Sequence, residues 1–324
     1  MNNRKKIFEF LQNNKGIWIS GEKISKALGI SRTAVWKNIN FFRDKGYIIE
    51  SFSNLGYKFI SSGHGIDEYK IKNNLDTRLI GQGSIVVYDE TDSTNKQAFN
   101  LASQGMDEGS IIIAENQSSG KGRLGRHWVT FPGQGIYFSM ILRPPVPPTK
   151  ASGLTIVAAV ALSFTLEEFK IVSHEIKWPN DILINGRKAS GILSEMKATP
   201  DSIDFIILGI GINLNVSHES WPDEIKDIAV SIKDALDEEI DRCSFLQALL
   251  YNFEKYYFMF LDGNFSEIID IWKNRSGIIN KKIKATLIDE SFTGTVTSIN
   301  NEGFLVVATE SGERLINSGD IHYI

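Results

Sequence analysis

Residues 117–128 constrain this chain more than any other stretch. Gly120, Gly122 and Gly125 alternate there with Lys121, Arg123 and Arg126, between one apolar run at 111–115 and another at 135–142. Glycine lets a backbone turn at positive φ and approach a ligand closely. Fixed cations and backbone N–H groups can surround an anion. The stretch therefore reads as a loop that folds over a phosphate-bearing ligand. The spacing Gly120-x-Gly122-x-x-Gly125 also fits the dinucleotide fingerprint, but that pattern needs a helix directly after a strand and an acid about 20 residues on. His127, Trp128 and Pro132 follow instead, and Pro144 and Pro145 stand where the acid belongs. A mobile basic surface loop is the plain structural alternative.

A second stretch narrows the choice. Lys177-Trp178-Pro179-Asn180-Asp181 forms a turn, and Asn185-Gly186 is a two-residue hairpin signal. Lys188, Gly191, Ile192 and Leu193 lie on the next strand, 188–195, and Gly209, Gly211 and Asn213 punctuate the apolar run 208–215. Glycines inside a strand often mark close ligand approach. The glycine-rich basic loop, the Lys-Trp-Pro-Asn-Asp turn, the Lys-x-x-Gly-Ile-Leu strand and the Gly-Ile-Gly-Ile-Asn strand occur in one order. Together they resemble the biotin–protein ligases, and four ordered motifs over about a hundred residues are far more specific than any one of them.

The N-terminal segment extends the resemblance. Residues 1–60 hold eleven Lys/Arg against four Asp/Glu, a net +7 on a chain of net −4. A basic head on an acidic body points to a polyanionic partner. Ile7, Phe8, Phe10 and Leu11 suit a first helix. Ser20 caps a second over 21–28, with Ile24, Ala27 and Leu28 inward. After the Gly29-Ile30 turn, Ser31 caps a third over 32–45, with Val35, Ile39 and Phe42 inward. Short strands at 47–50 and 57–60 would form a wing. Helix, glycine turn, helix is the helix-turn-helix arrangement. Residues 21–40, from Gly21 to Asn40, are thus the expected DNA-binding element. Ser31, Arg32, Thr33, Trp36 and Lys37 would face a major groove, with Lys58 near phosphates. A winged helix used only for protein contacts is the alternative. With this head, the chain resembles the bifunctional ligases that also repress the biotin operon.

The resemblance implies roles for particular residues. Ser93, Thr94, Asn95, Gln117, Lys121, Gly122, Arg123, Lys188 and Gly191 would contact biotin. A ureido ring offers N–H donors and a carbonyl acceptor, which hydroxyl and amide side chains match. Ser93 or Thr94 could also simply cap the helix 95–103. Arg123, Arg126, Trp128, Asn180, Asp181, Lys188, Gly211 and Asn213 would surround ATP or the adenylate. Asp181 would be the Mg²⁺ carboxylate. Lys188 and Arg123 would be the catalytic cations, because two anions must be brought together before they react. Lys121 stands where some relatives carry arginine, which keeps the charge and loses the bidentate fork. Plainer roles exist for several of these residues: a half-buried core tryptophan, turn formers at 180–181, a strand-edge lysine.

The rest of the chain fits one reading. Residues 150–169 form a helix apolar almost all round, and the apolar run 154–164 is too short to span a bilayer. Helices are expected at 231–236, 244–261 and 265–275, with Phe253, Tyr256, Tyr257 and Phe260 as core. From Lys281 onward short strands alternate with turns at 289–290, 300–303 and 311–312. The N-terminus lacks a signal-peptide pattern, and Cys243 is the sole cysteine, so a reducing cytoplasm is expected. Residues 61–65 read as a linker, and His64 there has no partner at metal spacing.

The fold class expected is an α/β multidomain chain. Its parts are a winged helix-turn-helix (1–62), a mixed-sheet α+β catalytic domain resembling class II synthetases (63–277) and an SH3-like β-barrel (278–324). The resemblance implies that biotin and ATP, with Mg²⁺, give biotinyl-5'-AMP. Biotin then passes to a lysine of a biotin carboxyl carrier protein or domain, of acetyl-CoA or pyruvate carboxylase. The adenylate would serve as corepressor, favouring a homodimer on operator DNA. A lipoate–protein ligase and a non-catalytic ligand-sensing transcription factor are the alternatives.

Overall fold

The computed structural model describes residues 3–61, 65–287 and 290–324. Most of the expected 61–65 linker, including His64, and Asp289 of the expected 289–290 turn lie outside the described residues. The chain divides into two units, Met1–Leu75 with Asp241–Cys243, and Asp76–Ile240 with Ser244–Ile324.

The first unit contains α1 (Asn3–Asn13), α2 (Gly21–Leu28), α3 (Arg32–Asp44), the hairpin β1 (Ile48–Phe52) and β2 (Gly56–Ser61), and α4 (Glu68–Lys72). Ser20 accepts the Lys23 N–H and Ser31 the Ala34 N–H, each at 3.1 Å, so both expected caps form. Gly29 ends α2 at φ 66°, the left-handed conformation that glycine adopts without steric cost. Ile7, Phe8, Leu11, Ile24, Val35, Ile39, Phe42 and Phe59 fill the core. Ala27, expected inward, is exposed, and Leu28 is half-buried. A helix of eight residues shows its partners a narrow stripe, and Ile24 occupies its centre. Tyr69 of α4 packs 5.4 Å from the Phe42 ring, and the Tyr47 hydroxyl donates to Asp67 at 2.6 Å.

The second unit is built on seven strands: β3 (Ile85–Thr91), β4 (Ile111–Gln117), β5 (Ile136–Leu142), β6 (His174–Lys177), β7 (Asp181–Ile184), β8 (Arg187–Ala198) and β9 (Ile203–Ile212). Their order is β3-β4-β5-β9-β8-β7-β6. Only β3 and β4 run parallel, so the sheet is mixed. α5 (Thr94–Ser103) packs on β4, β5 and β9. α6 (Gly153–Glu168) packs on β6, β7 and β8 and on α9 (Phe265–Ser276). α7 (Ile232–Leu236) and α8 (Arg242–Leu261) complete the helices, and Phe253, Tyr256, Tyr257 and Phe260 are core residues. Asn185 and Gly186 turn the β7–β8 hairpin at φ 51° and 76°.

Helix α6 is the buried helix expected over 150–169. A 3-10 turn, Pro148–Lys150, extends it to a helical stretch Pro148–Glu168 of 21 residues, long and apolar enough to cross a membrane by length and composition. Leu154, Val157, Val160, Ala161 and Leu162 are nevertheless fully buried in protein, so the stretch is a core helix.

The C-terminal strands β10 (Lys282–Thr286), β11 (Ser291–Ile299), β12 (Leu305–Thr309), β13 (Gly312–Ile316) and β14 (Asp320–Tyr323) form an antiparallel sheet, ordered β13-β12-β11-β10-β14. No ladder among the described residues joins β13 to β14, so the pairing leaves two edges. The Trp178 indole N–H donates to the Gly303 carbonyl at 3.2 Å, tying this sheet to the turn after β6.

Glu254 of α8 anchors the entry into the second unit. It is 7% exposed, and its carboxylate accepts the backbone N–H groups of Arg78, Leu79 and Ile80 at 2.6, 2.7 and 2.9 Å. Glu254→Ala leaves three N–H groups without this acceptor and should destabilise the unit by about 3 kcal/mol or more. An unfolding transition unmoved in urea would contradict this.

Candidate active site

A cavity of about 330 Å³ opens over the central strands β9 and β8 of the seven-stranded sheet. Every residue singled out for biotin, ATP or Mg²⁺ lines it, from Ser93 at the start of α5 to Asn213 just beyond β9. Pieces more than a hundred residues apart in sequence therefore share one wall.

The loop after β4 is a closed turn. The Gly122 N–H donates to the Arg126 carbonyl at 2.7 Å, and the Trp128 N–H to the Gly120 carbonyl at 2.9 Å. Arg123–Gly125 is a single 3-10 turn, so no helix opens here and the dinucleotide alternative falls away. Leu124 takes φ 55° and is 65% exposed. The Arg123 guanidinium donates to Asn180 Oδ1 at 3.3 Å. Burial pulls it below its ordinary pKa, Asp181 opposes that shift, and Arg126 adds to it. Arg126 is ion-paired with Asp320 of β14.

Lys188 sits beside a bulge. In the β7–β8 ladder Ile182 faces Ser190 while Leu183 faces Lys188, leaving Ala189 as the extra residue. Such bulges re-aim neighbouring side chains. The ammonium lies 2.7 Å from Asp181 Oδ1 and 5.5 Å from the Trp128 ring centroid. Asn180 donates to the Ile192 carbonyl at 2.6 Å, and Asn213 to the Lys188 carbonyl at 3.3 Å, so both amides also brace the sheet.

The strand glycines make room, but protein fills it. A Cβ on Gly211 would stand 2.6 Å from Trp128 Cε2, and one on Gly191 2.9 Å from Trp128 Cζ3. The half-buried indole therefore lies directly on both strands, and its Nε1–H is buried with no acceptor among the described residues. Gly209 likewise makes way for the Asn95 amide. Trp128 and Asn95 thus pack closely against these glycines.

At the other end, Ser93, Thr94 and Asn95 are 2%, 4% and 4% exposed. Ser93 occupies the N-cap position without a side-chain cap bond. Asp92 accepts the Ser93 N–H at 2.8 Å instead, and Gln117 Oε1 accepts the Thr94 N–H at 2.8 Å. Hydrogen bonds from Lys96 and Gln97 hold the Asp92 carboxyl well below the usual range. Ser139 Oγ lies 2.8 Å from Thr94 Oγ1 and 2.6 Å from Asn95 Oδ1, and Asn95 Nδ2 donates to Glu195 at 2.7 Å. Sequence reasoning missed Ser139, Glu195 and Asp320. An acid within strand 188–195 was a usable signal for Glu195. For Asp320, 194 residues from its partner, there was none.

The expected DNA-binding face lies on the first unit. Arg32, Thr33, Trp36 and Lys37 are exposed on α3, with Trp36 at 55%, while Asn40 is half-buried. Lys58 is 3.6 Å from Glu50 and lies over the Trp18 ring, so a carboxylate already partners this wing cation.

Comparison with known proteins places this architecture among the biotin and lipoate ligases. The model of the biotin/lipoate A/B protein ligase family matches residues 87–213, that of an HTH domain residues 3–58, and that of the biotin protein ligase C-terminal domain residues 278–322. The bifunctional ligase/repressor BirA of Bacillus subtilis (strain 168) is 40% identical over 318 residues, 98% of each chain. The protein of the same name from Escherichia coli (strain K12) is 27% identical, covering 93% of this chain and 91% of its own. A biotin protein ligase from Aquifex aeolicus, solved in complex with biotin and ATP, is 29% identical with a TM-score of 0.64, covering 74% of this chain and 98% of that one. The chain belongs to the family of bifunctional biotin–protein ligase/repressors.

Gly211→Ala should push the Trp128 indole off the sheet and loosen the loop. Trypsin should then cut at Lys121, Arg123 or Arg126 several-fold faster than in the parent chain, with the far-ultraviolet spectrum kept. Equal cutting rates would mean the indole does not hold the loop.

Proposed function

We propose that this chain is an ATP-dependent biotin–protein ligase that also represses transcription. Full-length similarity to bifunctional ligase/repressors, with the same three parts in the same order, carries the reading. The convergence of the candidate residues on one small-molecule-sized cavity supports it. The functional division is 1–62 for DNA, 63–277 for ligation and 278–324 as the C-terminal module. The catalytic sheet is of the class II synthetase kind and the C-terminal strands are SH3-like. The meander β10 to β13, with β14 returning to β10, supports the second assignment.

In the first half-reaction a biotin carboxylate oxygen attacks the α-phosphorus of ATP. Pyrophosphate leaves, giving biotinyl-5'-AMP. In the second, the amine of a carrier-protein lysine attacks the acyl carbon and AMP leaves. No enzyme nucleophile is required, so catalysis is positioning and charge stabilisation. Ser93, Thr94, Asn95 and Gln117 supply polar groups for the ureido ring. Lys121 and Gly122 border the ligand from the loop, and Lys188 and Arg123 serve both anions. Gly191, Gly211 and the Trp128 face border the adenylate, with Arg126, Asn180 and Asn213 around it. Lys188 and Arg126 now hold Asp181 and Asp320, carboxylates that incoming phosphates would replace.

Among the described residues no group of three His, Cys, Asp or Glu could hold a metal ion. Asp181 would be the carboxylate that holds Mg²⁺. When bound it would neutralise phosphate charge.

The acceptor is a biotin carboxyl carrier protein or domain of a carboxylase, and the compartment is the cytoplasm. The adenylate favours a homodimer, whose two α3 helices read a palindromic operator. Lipoate is the weaker ligand reading, since the full-length relatives with an HTH head are named ligase/repressors.

Pyrophosphate–ATP exchange should require biotin and not accept lipoate. Lys188→Ala should slow exchange by about 100-fold or more while the chain stays folded. Near-parental exchange in that variant would remove Lys188 from the mechanism. In a mobility shift on operator DNA, biotin plus ATP should tighten binding. Equal affinity with and without them would remove the coupling.

A further inference from the structure

The apolar residues of α3 do not all turn inward. Val35, Ile39 and Phe42 are fully buried in the core of the first unit, whereas Trp36 is 55% exposed. Residues three and four apart are neighbours on a helix surface. Trp36 therefore stands beside Arg32 and Thr33 on one turn and Asn40 on the next, with Lys37 adjacent. Arg32, Thr33 and Lys37 are exposed, and Asn40 is half-buried. Among the described residues the Trp36 indole has no hydrogen bond and no ring partner.

The charge around the indole indicates its partner. Residues 1–60 carry a net +7. Two cations of this unit are already engaged: Arg43 donates to the Ile49 carbonyl at 2.8 and 2.6 Å, and Lys58 lies 3.6 Å from Glu50. Arg32 and Lys37 are exposed on either side of Trp36, so phosphates held by them would bring the indole to the base edges between. Major-groove edges offer hydrogen-bond donors and acceptors and one apolar group, the C5 methyl of thymine. An indole face laid on polar edges would strip water from them and return no hydrogen bonds. Laid on a methyl group, it buries apolar surface on both sides.

We propose that Trp36 is a specificity-determining residue for DNA: its indole packs on a thymine methyl in the major groove. Each half-site of the DNA partner then carries a thymine facing the second turn of α3. The cations beside Trp36 set the register through phosphates, and the indole supplies the preference for one base. This rests on the DNA reading above.

The probe is a duplex selected by the full-length chain, with biotin and ATP, from a randomised library. Each thymine is then replaced in turn by deoxyuridine, which removes the methyl group and keeps every hydrogen-bonding atom. In a mobility shift, at least one replacement should weaken binding by the parent chain about fourfold, the worth of one buried methyl group. Made in both half-sites, it should weaken binding by about tenfold or more. Trp36→Ala should bind the thymine duplex more weakly than the parent chain, and the same replacements should then cost it less than about twofold. Deoxyuridine tolerated at every position by the parent chain overturns the inference, with no variant needed. So does a penalty of equal size in Trp36→Ala, which would give the methyl contact to Thr33 or another side chain. A Trp36→Ala chain that binds the thymine duplex as tightly as the parent also overturns it, and leaves the indole to a protein partner. A parent chain that enriches no duplex overturns the DNA reading itself.

Discussion

The site depends on what is missing from three backbone positions. Gly191, Gly209 and Gly211 give strands β8 and β9 a surface without Cβ atoms, and two side chains settle into the space. The Trp128 indole lies on Gly191 and Gly211, and the Asn95 amide sits over Gly209. The first contact fixes the end of the glycine-rich loop against the sheet. The second fixes the start of α5, because Asn95 is held by Ser139 and Glu195 once it is there. A methyl group at any of the three would displace a cavity wall.

Charge in the cavity is arranged in pairs. Lys188 holds Asp181, Arg126 holds Asp320, and Arg123 rests on a neutral amide. Placing bare cations together would raise their mutual repulsion in a partly buried site. Carboxylate partners relieve that, and an anionic ligand can take their place. The C-terminal sheet enters the site through one of these pairs, so it is part of the cavity wall as well as an appendage.

Much of the architecture was legible because its causes are local. Ser20, Ser31 and Gly29 bracket the helices of the head, and the 3.6-residue spacing of Val35 and Ile39 orients α3. Asn185-Gly186 turns the hairpin where a two-residue turn needs positive φ at both positions. Errors came where neighbours decide. Ala27 has the right period but is exposed, and Ser93 has the right position for a cap but makes no side-chain cap bond.

By itself the sequence picked out the residues that line the cavity, since ordered motifs and fixed spacings are properties of a chain. It also determined the three-part order, since composition and periodicity change at the junctions. Only the tertiary structure decided how those residues are engaged. Trp128 and Asn95 pack against the strand glycines; Lys188 is paired with Asp181; and Arg126 reaches Asp320. Hydrogen bonds and ion pairs depend on ångström distances between strands far apart in sequence, and linear spacing carries no record of those distances.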